Sequence, residues 1–215
     1  MTRRVQGAAE PLAGVPGLLR WSGPAGEVGT PEPQAWAITN GDRVVLIDPL
    51  PLPQEGLGEG IGRPEVILLT GPERQRTAFR LRRQLGIDLF APADLDGLDE
   101  EPDLTYSAGD ALPGGLAAFH APGPNAQTQV LWTTRGPRGV LFLSGLLVHG
   151  GSGVPELARE LAEPDRARAS VERLLARLPV DVLCFLWGPP IVDDGSTALR
   201  RLLASLPEPA APGTA

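Results

Sequence analysis

The sequence predicts a mixed α/β domain, on three observations. Short apolar runs of strand length alternate with segments whose apolar residues recur at helical spacing. Gly and Pro number 27 and 24, 51 of the 215 residues, which implies many short elements joined by turns and argues against a helical bundle. Hydrophobic residues at 42% and charged residues at 21% are ordinary globular values, so a real core can form and neither disorder nor a coiled coil fits. The length suits a single domain, placed at 1–206, with a Pro- and Ala-rich tail at 207–215 that reads as a frayed end.

The elements follow in chain order. Ala35–Thr39 and Arg43–Asp48 read as strands around an Asn40-Gly41 hairpin turn. A Pro- and Gly-rich loop leads to Glu65–Thr70, an apolar run suited to a buried strand. Ala78, Leu81 and Leu85 recur at helical spacing and Gly86 sits where a C-cap belongs, with a short strand at Ile87–Ala91 beyond it. Leu116–His120, Thr128–Thr134 and Gly139–Ser144 read as three strands of a meander. Asp165 after Pro164 is placed to cap a helix whose buried stripe is Val171, Leu174, Leu175 and Leu178. A strand at Val180–Leu186 and a helix at Thr197–Leu206 complete the set.

Composition excludes several functions. The formal charge of −7 opposes nucleic acid and anionic lipid, and no run of roughly twenty apolar residues is present to span a bilayer. All 19 basic residues are Arg, so Schiff-base chemistry and a phosphate-loop lysine are absent. A single Cys184 and the lack of an apolar leader at Met1–Arg20 predict a cytoplasmic chain. The glycines of Gly56–Gly62 precede a strand instead of opening a helix, so they read as a mobile loop and not as a dinucleotide fingerprint.

Five short motifs stand in a telling order: Val45-Leu46-Ile47-Asp48, Val66-Ile67-Leu68-Leu69-Thr70, Ala121-Pro122-Gly123, Leu141-Phe142-Leu143-Ser144-Gly145 and Gly188-Pro189-Pro190. Together they resemble the metallo-β-lactamase fold superfamily over about Trp36 to Leu206. The resemblance implies a four-layer αββα sandwich, two mixed β-sheets flanked by helices, and a metal-dependent hydrolase.

The ligands of that resemblance are missing. Its H-x-H-x-D-H positions hold Gly71, Glu73, Gln75 and Arg76, and its three later ligand positions hold Pro124, Leu146 and Trp187. Zinc needs several His, Cys or carboxylate ligands converging at about 2.0 to 2.3 Å, and Glu73 alone is of that kind. The sequence therefore predicts a degenerate member with no metal and no cofactor, in which Leu146 and Trp187 are buried and dry out the old site.

The replacements suggest two chemistries. A strand end, a Gly-Pro turn and a helix start could bind an anion through Gly71, Arg74 and Arg76. The plainer reading makes Arg80, Arg82 and Arg83 a solvated helix face and pairs Arg76 with Asp48 or Glu73 in the vacated space. For catalysis the candidates are Glu73, His149 and Asp193, although His149 and His120 read as hydrogen-bonded structural residues and Asp193-Asp194 as a helix cap. Cys184 reads as a core residue. The expectation is a non-catalytic domain that binds a small anion or a protein partner and can self-associate; the rival is a hydrolase with an unorthodox site.

Overall fold

The computed structural model describes residues 8–24, 30–53, 56–58, 61–93, 95–159 and 161–207. The first seven residues, part of the Gly56–Gly62 loop and the tail beyond Pro207 lie outside these. The strands are β1 (Glu10–Pro11), β2 (Leu18–Ser22), β3 (Gln34–Asn40), β4 (Arg43–Ile47), β5 (Arg63–Leu68), β6 (Asp88–Pro92), β7 (Leu104–Tyr106), β8 (Ala111–Leu112), β9 (Leu116–His120), β10 (Gln129–Arg135), β11 (Arg138–Phe142), β12 (Leu147–Val148), β13 (Glu156–Leu157) and β14 (Val182–Cys184). The helices are α1 (Gln75–Leu85), α2 (Pro164–Arg177) and α3 (Gly195–Ser205).

Strands β1 to β7 form one sheet in sequence order, and the second sheet runs β14-β11-β10-β9-β8. Alternation along the central strands explains the layering. Val45 and Ile47 of β4, Val66 and Leu68 of β5, Val140 and Phe142 of β11, and Val182 and Cys184 of β14 all meet between the sheets. Their neighbours point the other way: Val44, Leu46, Ile67 and Leu69 pack under Ala78, Phe79 and Leu81 of α1. On the far side Leu141, Leu183 and Phe185 pack under Val171 and Leu174 of α2 and Leu199 and Leu202 of α3. Each of these central strands thus buries both faces, at about 1.5 to 3 kcal/mol per aliphatic side chain, and the result is the expected αββα sandwich.

Boundaries depart from expectation in ways with physical causes. Asn40 pairs with Arg43, so the two-residue hairpin loop is Gly41-Asp42, with Gly41 taking φ 65°. The first residue of α2 is Pro164, and Glu163, not Asp165, holds the N-cap position, with no side-chain cap. Gly86 ends α1 in the left-handed conformation as expected, while Leu85 at 37% exposure has already rotated out of the core. The last strand is only Val182–Cys184, because Ile191 bonds back to Leu183 and closes the edge. Among the described residues no helix is long and apolar enough to cross a membrane.

Candidate functional site

The carboxyl ends of β4, β5, β11 and β14 converge on one cleft, the place where open sheets of this kind hold ligands. Beyond β4, Asp48 takes φ 42°, a conformation that Asp tolerates better than most residues, and this turns its carboxylate inward. It accepts hydrogen bonds from the Thr70 amide at 2.9 Å and the Thr70 hydroxyl at 2.6 Å, which locks the end of β4 to the chain leaving β5. Asp48 is only 2% exposed. Burial pushes its pKa up to about 7 against the opposing pull of the Thr70 bonds, and the nearby Glu73 adds to the rise. The Tyr106 hydroxyl close by donates to the Leu69 carbonyl at 2.6 Å, and burial holds it well above its ordinary range.

After Thr70 the chain turns through extended Gly71 into a single 3-10 turn, Pro72–Arg74, that feeds α1. Two charged side chains leave this turn across the cleft. Glu73 is exposed as a residue, but its carboxylate lies between Gly71 and Gly145: a Cβ at Gly145 would stand 2.5 Å from Glu73 Oε1, and one at Gly71 would run into Oε2. The Glu73 amide donates to that same carboxylate, so an internal carboxylate already answers the start of the helix. Burial of the carboxylate end raises its pKa.

Arg74 crosses to the other sheet. It is 8% exposed, donates from Nη2 to the Leu186 carbonyl at 3.1 Å, and lies 4.8 Å over the Trp187 ring. Burial lowers its pKa, while the carboxylates of Asp48 and Glu73 hold the charge in place. Its Nε is buried without a partner, as are Ser144 Oγ and Gln129 Oε1. The cleft therefore carries an internal cation between two acids, one of them about half protonated at neutral pH.

The other expected residues disperse. Arg76, proposed above as the cation that fills the cleft or binds an anion, is 86% exposed and pairs with Asp99 at 3.1 Å. Arg82 pairs with Glu100 and Asp103, and Arg83 with Glu100, so the acidic loop after β6 neutralises the basic run of α1. Gln75 exchanges hydrogen bonds with the Gly97 carbonyl and Asp99 amide. Asp193 pairs with Arg138, and Asp194 occupies the N-cap of α3 at φ 57° without a side-chain bond, so their carboxylates do not cap it. His149 is buried, its Nδ1 2.7 Å from the Pro189 carbonyl and its Nε2 accepting from the Gly153 amide at 3.1 Å. Both nitrogens are committed to backbone, which leaves no lone pair for a general base. His120 is exposed and bonds the Ala126 carbonyl.

Leu146 is fully buried, but in the outer core beneath α2, and Trp187 is only half-buried, its ring meeting Arg74. The expected apolar plug is thus half right: the cleft is crossed by Glu73 and Arg74. The motif glycines have packing reasons of their own. A Cβ at Gly123 would stand 2.6 Å from Ala167 of α2, and Gly188, at φ 92°, presses on the His149 carbonyl where no Cβ fits.

Zinc does not fit this residue set. One carboxylate, already bonded by its own amide and flanked by a guanidinium, is the only zinc-type side chain at the seven positions, and a cation placed there would meet Arg74. Among the described residues no group of three or more His, Cys, Asp or Glu is gathered to hold a metal ion.

No protein-family profile matches the chain, and no curated protein matches it. Solved structures do. The metallo-β-lactamase FIM-1 from Pseudomonas aeruginosa in its mono-zinc form superposes with a TM-score of 0.73 at 17% identity, covering 95% of this chain and 100% of that one. The DIM-1 metallo-β-lactamase exposed to ceftazidime gives 0.70 at 14% identity over 93% and 98%, and the metallo-β-lactamase from Pontibacter korlensis 0.68 at 15% over 92% and 99%. Layering, strand order and these superpositions agree: the chain has the metallo-β-lactamase fold.

Proposed function

We propose that this chain is a non-hydrolytic domain of the metallo-β-lactamase fold, a binding protein in which Glu73 and Arg74 stand in place of a metal centre. The observation that carries the reading is Arg74, buried, bonded to the Leu186 carbonyl and stacked on Trp187, itself one of the residues at the positions the resemblance gives to metal ligands. A guanidinium stays protonated and offers neither a lone pair nor an open coordination site, so it supplies charge and no nucleophile. The places of two catalytic candidates support the same reading: His149 is spent on backbone and Asp193 on Arg138.

The ligand of the cleft is a small anion that takes the place of the Glu73 carboxylate and is read by the unpartnered Nε of Arg74. Glu73 is then an internal competitor. Calorimetric titration with phosphate and acetate is expected to show weak or no binding to the native chain, a gain in Glu73→Gln, and its loss in Glu73→Gln/Arg74→Ala. No gain in Glu73→Gln overturns the anion reading. Zinc-stimulated turnover of a chromogenic β-lactam, a thioester or a phosphodiester that disappears in Glu73→Gln overturns the non-hydrolytic one.

A further inference from the structure

We infer that the groove between α2 and β9, on the flank of the second sheet, is a separate binding site for a multiply charged small anion. The groove holds about 670 Å³, in the range of small-molecule sites, and is walled by Phe119, His120 and Pro122 on one side and Arg166, Arg173 and Arg177 on the other. No acidic residue lines it, although acids outnumber bases 26 to 19 in the chain. Arg166, Arg173 and Arg177 recur at i, i+7 and i+11, so they share one face of α2 over roughly 16 Å.

Three of the acids near the lining residues in sequence are already engaged. Glu163 pairs with Arg166 at 3.0 Å, and Asp110, across the groove, accepts the Ser107 amide within its own turn. Glu172 pairs with Arg168. Arg173 bonds the Ser170 hydroxyl at 3.0 Å and keeps its charge uncompensated, and Arg177 has no ion-pair partner among the described residues. Two arginines one helical turn apart, about 6 Å along the axis, suit a ligand with adjacent anionic groups.

The wall is also rigid. The Ser170 hydroxyl donates to the Pro122 carbonyl at 2.8 Å, the Glu163 amide donates to the Gly123 carbonyl at 3.1 Å, and Gly123 lets Ala167 approach the turn directly. The backbone that carries the Arg row is therefore fixed against the turn beyond β9, so the ordering cost of binding falls on the exposed Arg side chains and not on the helix. Phosphate and carboxylate share the chemistry that such a row recognises.

The test is isothermal titration of the full chain with tripolyphosphate and, separately, citrate, at low and at physiological salt. Saturable binding is expected, weakening as salt rises, with at least a tenfold loss in Arg173→Gln/Arg177→Gln. Arg200→Gln/Arg201→Gln, on the exposed face of α3, is expected to bind like the native chain. The tighter of the two ligands identifies the anion as phosphate-type or carboxylate-type. Failure of both to bind the native chain, or equal binding by the Arg173/Arg177 variant, would overturn the assignment, the latter by moving the binding elsewhere on the molecule.

Discussion

Replacing Arg74 by Ala removes three things at once, and their sizes can be set from the structure. The charged hydrogen bond to the buried Leu186 carbonyl is of a kind that contributes about 1.5 to 3 kcal/mol. The stacking on half-buried Trp187 contributes about 0.5 to 1 kcal/mol more. Loss of the countercharge leaves Asp48 and Glu73 facing each other, which pushes both carboxyls further toward protonation. Against these stands the relief of an unfavourable burial, visible in the lowered pKa of the guanidinium itself. The balance is a destabilisation of about 2 to 3 kcal/mol at pH 7. Urea unfolding at pH 7 and pH 5 measures it, and the deficit should shrink at the lower pH, where protonation removes the acid charges that Arg74 offsets. Arg76→Ala is the internal comparison: its pair with Asp99 lies in solvent, and the expected change is within about 0.5 kcal/mol. Equal effects at the two positions, or a change below about 1 kcal/mol at Arg74, would refute the placement of Arg74 across the cleft.

Three further outcomes follow from the same geometry. Asp48 is an acid whose folded pKa of about 7 exceeds its ordinary 3.8, so between these values the folded chain binds the extra proton; its contribution to stability is present below about pH 4 and is lost as pH rises to about 7. Unfolding free energies from pH 4 to 8 should show that slope in the native chain and a flatter profile in Asp48→Asn; identical slopes would remove Asp48 as its source. Leu146→Ala, at a fully buried site, is expected to cost about 2 to 5 kcal/mol, and Trp187→Ala, half-buried, clearly less; thermal melts giving the reverse order would contradict the assignment of Arg74, not Trp187, to the middle of the cleft. Cys184, 1% exposed between the sheets with its thiol pKa raised by burial, should resist a disulfide reagent until denaturant unfolds the chain, and rapid labelling of the native protein would place it wrongly.

Much of this architecture is written in residues that alternate. Val44 to Ile47, Val66 to Leu69, Val140 to Leu143 and Val182 to Phe185 each send successive side chains to two different cores, and such uninterrupted apolar runs are readable without a structure. The short and mixed strands are not: β8, β12 and β13 are two residues each, and strand β2 mixes Arg20 with Leu18, Leu19 and Trp21, so pairing partners rather than pattern define them. The cleft was legible as a place, and of the two arginines named for it, Arg74 and Arg76, only Arg74 reaches it. Motif spacing pointed to Arg76, but Arg76, Arg80 and Arg83 share the solvent face of α1, whereas Arg74, Ala78 and Leu81, at i, i+4 and i+7, continue its buried stripe. Extending the apolar periodicity one turn back through the 3-10 segment was the signal that singles out Arg74. The role of Glu73 had no such signal, because it depends on Gly71 and Gly145 coming together from different sheets.

The central claim is that an internal ion cluster has taken over the site that the fold otherwise gives to a metal. Equilibrium dialysis of the purified chain against micromolar zinc, followed by elemental analysis of protein and dialysate, tests it directly. The predicted result is zinc far below one ion per chain, the same in the native protein and in Glu73→Gln. Stoichiometric zinc in the native protein that is lost in Glu73→Gln would contradict the account.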